Sequence, residues 1–253
     1  MQYAICTVPA APVRKEAAHR SEMVNQLLFG EAMQVLEEQG EWLRIRSVYD
    51  DYEGWLTHHL VAETDSATAH EEARFVATGL VNPVVMDGIL TNVPMGSFLP
   101  GFNPETASLW DGTSRYEGAF RSLAERPEEG SLIGTALPWL NAPYLWGGKT
   151  FMGVDCSGFV QTVFKILGMR LKRDAWQQAE QGKEVALGDA ALGDLAFFHN
   201  EKGRIVHVGM LLNGKEIIHA AGKVRIDSID EKGIYNRQKA VYTHSFTALR
   251  RFL

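Results

Sequence analysis

The chain has 253 residues, 45% of them hydrophobic, with a formal net charge of -6 and a pI near 5.8. This composition supplies core for one large domain or two to three small ones and excludes global disorder. The acidic balance, with no polybasic run, argues against nucleic acid, anionic membranes and polyanionic wall polymers as main partners and favours a small soluble substrate.

No stretch approaches the roughly 20 apolar residues that span a bilayer. The opening "MQYAICTVPAAPVRKEAAHR" lacks a basic segment followed by an apolar core, so a cytoplasmic chain with no membrane partner is expected. Cys6 and Cys156 are too few for a disulfide framework, and neither has metal-ligand spacing around it. Reduced thiols, no metal and no cofactor are the expectation.

Residues 1–63 read as short strands broken by turns. Met33, Val35, Trp42, Leu43, Ile45, Val48, Trp55 and Leu56 give the apolar positions, and Gly40, Asp50, Asp51 and Gly54 mark turns between them. Strands this short and this closely spaced predict a small β-barrel. Residues 64–125 are less regular. "VVMDGILTNVPMGSFLPGFNPE" is apolar, with Asp-Gly, Met-Gly and Pro-Gly punctuation and no helical period, which predicts a second, degenerate β unit. The polar "AERPEEGS" then reads as a linker.

The pattern changes in residues 126–253. Phe159, Val160, Val163, Phe164 and Leu167 recur at helical spacing after Asp155, and Gly168 follows as a stop. Beyond them "DLAFF", "RIVHVGMLL", "KEIIHAAG" and "KVRID" read as strands. A helix followed by an antiparallel sheet is an α+β unit.

Cys156 falls in the first turn of that helix, where unpaired N–H groups and the dipole favour a thiolate and can hold an oxyanion. Asp155 opposes that shift. A cysteine alone more often just packs; a nucleophile needs a histidine base and a group to orient it. His207 and His219 fall on successive strands. A two-residue turn at Asn213-Gly214 would point them to opposite faces. A three-residue loop, or a bulge, puts them on one face as diagonal neighbours within side-chain reach.

"VDCSGFVQTVF", "GDLAFFHNEKGRIVHVGMLL" and "IIHAAG", with "APYLWGGKT" upstream, resemble the blocks of the NlpC-type cell-wall peptidases, papain-like cysteine hydrolases. The resemblance implies Cys156 as nucleophile, His207 as general base and His219 as its orienting partner. Tyr144 resembles a tyrosine that helps stabilise the oxyanion; packing in its apolar loop is the alternative. "NQLLFGEAMQVLEEQGEWLRIRSVYDDYEGWL" resembles a bacterial SH3-like module. The implied architecture is a papain-like domain at 126–253 preceded by SH3-like barrels at 1–63 and 64–125.

The subset with two such modules resembles γ-D-glutamyl-L-diamino acid endopeptidases of murein recycling. These cut L-Ala-γ-D-Glu from the diamino acid and require a free N-terminal L-Ala, and their first module closes one end of the cleft. A small murein peptide is thus the implied partner. The resemblance implies Asp155 as an anchor for the substrate's ammonium, although an ordinary helix cap is the other reading. It further implies Glu22 and Tyr52 as its partners and Ser157 as a substrate contact. Glu31 competes with Glu22, but a charge beside Gly30 reads as a solvated turn residue. Where the family often shows "RDAS", this chain has "RDAW"; Trp176 either narrows the substrate pocket or belongs to the core. His199 reads as a surface residue, and His58, His59, His70 and His244 carry no functional claim. An amidase or acyltransferase on this scaffold, or a non-enzymatic wall-fragment binding protein, is the rival reading.

Overall fold

The computed structural model describes residues 1–128 and 130–252. Its first unit is a seven-stranded antiparallel sheet in the order Met23–Leu28, Ala10–Arg14, Glu53–Thr57, Trp42–Ser47, Ala32–Gln39, Tyr3–Cys6, Val61–Thr64. Period-two patterning places its core: Leu43 and Ile45 are buried while Arg44 and Arg46 point out to Glu53. Gly40 and Asp51 turn the chain at positive φ, +58° and +62°. Gly54 differs from its expected turn role. It lies inside the Glu53–Thr57 strand, where a Cβ would meet Val13 Cγ1 at 2.4 Å, so glycine is needed for close packing.

The second unit is a three-stranded sheet (Val81–Met86, Ile89–Pro94, Arg115–Tyr116) with a two-stranded ribbon of Phe75–Ala77 and Phe120–Ser122. Val84, Val93, Leu99, Phe102 and Tyr116 pack there around Phe29, which the first unit lends.

Among the described residues the one long helix, Cys156–Ile166, lies in the third unit, and all of its residues are buried. Asp155 caps it by accepting from Gly158 N, and Gly168 follows its end at φ +84°. The helix packs with Trp139 onto Phe197, Val208, Met210, Ile218 and Ala220. The sheet beneath has seven antiparallel strands: Lys183–Val185, Val241–Arg251, Leu195–His199, Ile205–Asn213, Glu216–Ala221, Lys223–Asp230 and Gly233–Asn236. Val241–Arg251 also pairs with Gly233–Asn236, so six of these strands close into a ring. The alternate face, with Ala196, Phe198, Leu211, Ile217 and Leu249, fills its inside. The chain is thus richer in strand than an α+β reading expects.

The three units share polar joints. Glu31, expected as a solvated turn residue, is fully buried and takes Lys149 Nζ at 3.1 Å and Lys165 Nζ at 2.6 Å. Lys165 Nζ also lies 3.7 Å from the centre of the Phe98 ring. Gln26 accepts from Lys149 N at 2.8 Å, and Gln161 Nε2 donates to Asp50 at 2.9 Å. The first barrel is therefore docked directly on the cysteine helix and the loop before it.

Candidate active site

Cys156 is the first residue of its helix and is 6% exposed. Gly158, two residues on, passes so close to Gly148 O that a Cβ would stand 2.3 Å from it, which explains the glycine of "DCSG". The thiol lies against the backbone of Val208, the residue after His207. Among the described residues it makes no hydrogen bond to the His207 ring. Burial first, then the charge of Asp155, pushes the Cys156 thiol up to about 12. The expected thiolate-favouring effect of the helix start is outweighed, because desolvation costs the charged form more than the N–H groups return.

His207 and His219 do share a face. The turn has two residues, Gly214 and Lys215, but a bulge at Leu212 shifts the register so that Met210 pairs with Ile218. His207 Nε2 stands 2.9 Å from His219 Nδ1, and His219 Nε2 stands 3.1 Å from Asp227 Oδ2. Arg225 holds the other oxygen of Asp227 at 2.9 Å. Burial alone would raise the Asp227 carboxyl, but its bonds from His219 and Arg225 hold it below the usual carboxylate range. A carboxylate must accept, so His219 carries its proton on Nε2 and accepts at Nδ1. His207 then donates from Nε2, and its free lone pair is on Nδ1. Burial, followed by His219 and His244, lowers the His207 pKa well below the ordinary value, so its ring is neutral at pH 7.

Two of these residues escaped the sequence reading. Asp227 could have been found: the hairpin at Gly222 pairs His219 with Arg225, and Asp227 follows two residues on, on the same face. His244 could not. It arrives on the last strand, which closes the ring, and stacks on His207 at 4.1 Å between ring centres.

Asp155 is buried and engaged. It accepts Gly158 N at 2.7 Å and Gly147 N at 2.9 Å, and meets Arg173 through both oxygens at 3.0 and 2.6 Å. Ser157 turns inward to the same pair, accepting Arg173 Nη1 at 2.9 Å. Arg173, unmarked in the sequence reading, also donates to Asn25 of the first barrel at 2.7 Å. Glu22 reaches across from that barrel to accept Trp146 Nε1 at 2.8 Å. Tyr52 is raised to about 12 by burial, then by the charge of Asp174. Tyr144 is half-buried and raised by burial, then by its neighbours Cys156 and Asp155. Trp176 is 51% exposed, so it is not core, and it stands beside Asp174. His199 is half-buried and bonded to Thr247, away from this group.

A cleft of about 280 Å³ opens over the histidines, lined by Tyr144, His207, Ala220, Gly222 and His244. A second cavity of about 260 Å³, at the junction of the three units beside Tyr49, Phe98 and Arg170, contains none of these side chains except those of the joint itself. Among the described residues no helix is long and apolar enough to cross a membrane.

Comparison with known proteins gives two family matches: the NlpC/P60 family over residues 141–243 and the bacterial dipeptidyl-peptidase Sh3 domain over residues 13–59. The chain is 32% identical to the gamma-D-glutamyl-L-lysine dipeptidyl-peptidase of Bacillus subtilis, over 89% of this chain and 80% of that one. It is 27% identical to dipeptidyl-peptidase 6 of Lysinibacillus sphaericus, over 95% and 96%. Its fold matches the crystal structure of an NlpC/P60 family protein from Bacillus cereus with a TM-score of 0.84, at 22% identity and covering 99% of each chain. With a bacterial SH3 domain ahead of its cysteine helix and closed sheet, the chain belongs to the NlpC/P60 family of cysteine peptidases.

Proposed function

We propose that this peptidase hydrolyses the γ-D-glutamyl–L-diamino acid bond of small murein peptides bearing a free N-terminal L-Ala. The cysteine helix and closed sheet are read as papain-like, and the second β unit as a degenerate SH3-like module. What carries the reading is the docking of the first barrel on the start of the cysteine helix. Glu22 there bonds Trp146, in the loop before Cys156, and Tyr52 lies within reach of the charges of Arg173 and Asp155. A cleft bounded in this way suits a short peptide with an amine at its end better than a crosslinked polymer.

In this reading Glu22 and Tyr52 recognise the ammonium. Asp155, already holding Arg173 and two N–H groups, is the floor of that subsite and contributes field more than a free lone pair. Ser157 lines the same floor and Trp176 its rim, toward the diamino acid. Substrate closes the gap between thiol and imidazole. His207 Nδ1 takes the thiol proton as sulfur attacks the γ-glutamyl carbonyl, and the oxyanion is held by helix-start N–H groups and Tyr144. Protonated His207 gives that proton to the leaving amine, and water, deprotonated by the same ring, hydrolyses the thioester. His219 and Asp227 keep the proton of His207 on Nε2. In this reading the peptidase acts in murein recycling within the cytoplasm.

The test is incubation with free L-Ala-γ-D-Glu-L-Lys and with its N-acetylated form. Release of lysine from the free peptide alone is expected. Cleavage of both would remove the amine requirement, and cleavage of neither would sink the proposal.

A further inference from the structure

His207, His219 and His244 come from three different strands, and one ring nitrogen from each lies within 4.8 Å of the others. We propose that they form a three-imidazole site for a divalent late transition-metal ion, with zinc as the probe, and that filling it switches off the base. Imidazole nitrogens suit such ions. Zinc binds them at about 2.0–2.1 Å in tetrahedral geometry, which sets neighbouring nitrogens about 3.3 Å apart. His207 Nε2 and His219 Nδ1 are now 2.9 Å apart, so that pair opens by a few tenths of an ångström. His219 already donates its other nitrogen to Asp227, which is the outer carboxylate that metal-ligating histidines use to fix ring and tautomer. His244 Nδ1 is bonded to Thr243 Oγ1 at 2.9 Å, leaving Nε2 as its ligand atom once the ring turns out of its stack on His207. The cleft beside Tyr144 and Gly222, about 280 Å³ in volume, has room for a water as the fourth ligand.

The consequence for His207 is a change of tautomer. Its proton, now on Nε2 between the two rings, moves to Nδ1 when the metal takes Nε2. Nδ1 is the position that receives the thiol proton, so the metallated ring cannot act as base. No proton is lost from either neutral imidazole, and Asp227 keeps its bond to His219.

The experiment titrates the full chain with Zn2+ by calorimetry and with Co2+ by visible absorption. One equivalent is expected, with a tetrahedral cobalt spectrum and no thiolate-to-metal charge-transfer band. Cys156→Ala should keep the binding, whereas His244→Phe and His244→Gln, checked for folding by circular dichroism, should weaken it about tenfold or more. Loss of binding in Cys156→Ala, unchanged binding in both His244 variants, or no binding at all would each overturn the site. These arms stand apart from the peptidase reading. The inhibition arm rests on it: zinc should abolish hydrolysis and a chelator restore it, and full activity with the metal bound would overturn the switch while the site stood.

Discussion

Asp155 and Arg173 face each other in a buried two-point ion pair, Nη1 to Oδ1 at 3.0 Å and Nη2 to Oδ2 at 2.6 Å. Asp155 caps the cysteine helix and holds the Gly147 N–H, while Arg173 reaches Asn25 in the first barrel. One pair therefore ties the backbone at Cys156 to the module beside it. Removing the guanidinium strands a buried carboxylate, so Arg173→Met is expected to destabilise the fold by about 3–5 kcal/mol. Arg173→Lys keeps the charge but loses the planar fork and should cost less. Urea unfolding of both variants measures this; an Arg173→Met as stable as the parent would refute it.

Glu31 faces two ammonium groups, and the two are not equivalent. Glu31→Gln leaves both lysines buried without a counter-charge and is expected to cost about 3–5 kcal/mol. Lys165→Met leaves a one-to-one pair of Glu31 with Lys149 and loses mainly a contact with Phe98, so it should change stability by about 1 kcal/mol or less. Burial lowers the Lys165 ammonium to about 8 against the pull of Glu31, which is why its charge is the dispensable one. Burial alone would raise Glu31, but the two lysines bring it from 4.5 to about 2. A depressed carboxyl stabilises above its unfolded pKa, so this contribution is present above pH 4.5 and is lost as pH falls towards 2. A loss in Lys165→Met as large as that in Glu31→Gln would show that the Lys165 charge is not dispensable.

Burial and Asp155 hold the Cys156 thiol near 12, and the free chain should therefore not carry a resting thiolate. Alkylation of Cys156 by iodoacetamide, followed by peptide mass spectrometry, is expected to accelerate about tenfold per pH unit through neutrality with no plateau, because only the thiolate reacts. The proposed base points the same way. With the His207 pKa lowered by burial, the neutral ring persists below pH 6.5, so the acid limb of kcat/KM should lie under that value. A flat alkylation rate between pH 5 and 8 would instead reveal a thiolate–imidazolium pair.

Much of this site could be read from local pattern. Helical spacing placed Cys156 at a helix start, and strand parity brought His207 to His219 once a bulge was allowed; the bulge is at Leu212. The features that escaped depend on partners far along the chain. Glu31 lies beside a glycine turn, where a charge is ordinarily solvated, and only the lysines 118 and 134 residues downstream bury it. His244 sits on a strand whose partners are set by ring closure, which no local period encodes. Gly54 read as punctuation because sequence does not show that Val13 fills the space of its missing side chain.

Asp227 fixes the tautomer of His219 from the far side, one residue removed from His207. Asp227→Asn removes the charge and allows the amide to donate where the carboxylate accepted. The expected loss is about 10- to 100-fold, as for outer partners that orient a functional imidazole. It should fall on kcat with KM little changed, since Asp227 is not proposed to touch substrate. A loss confined to KM would move Asp227 into the binding site.

Trp176 replaces the usual serine and stands half-exposed at the helix that follows Arg173, beside Asp174. If the proposed substrate lies against that rim, the bulky ring takes up space that the side chain of the diamino acid would otherwise use. Trp176→Ser should therefore favour the larger meso-diaminopimelate over lysine. A single side-chain fit of this kind is worth about 1–3 kcal/mol, so the ratio of kcat/KM for the two tripeptides should shift by about 10-fold or more. The stability of the fold should change little, because the ring covers no core. An unchanged ratio would take Trp176 out of the pocket altogether.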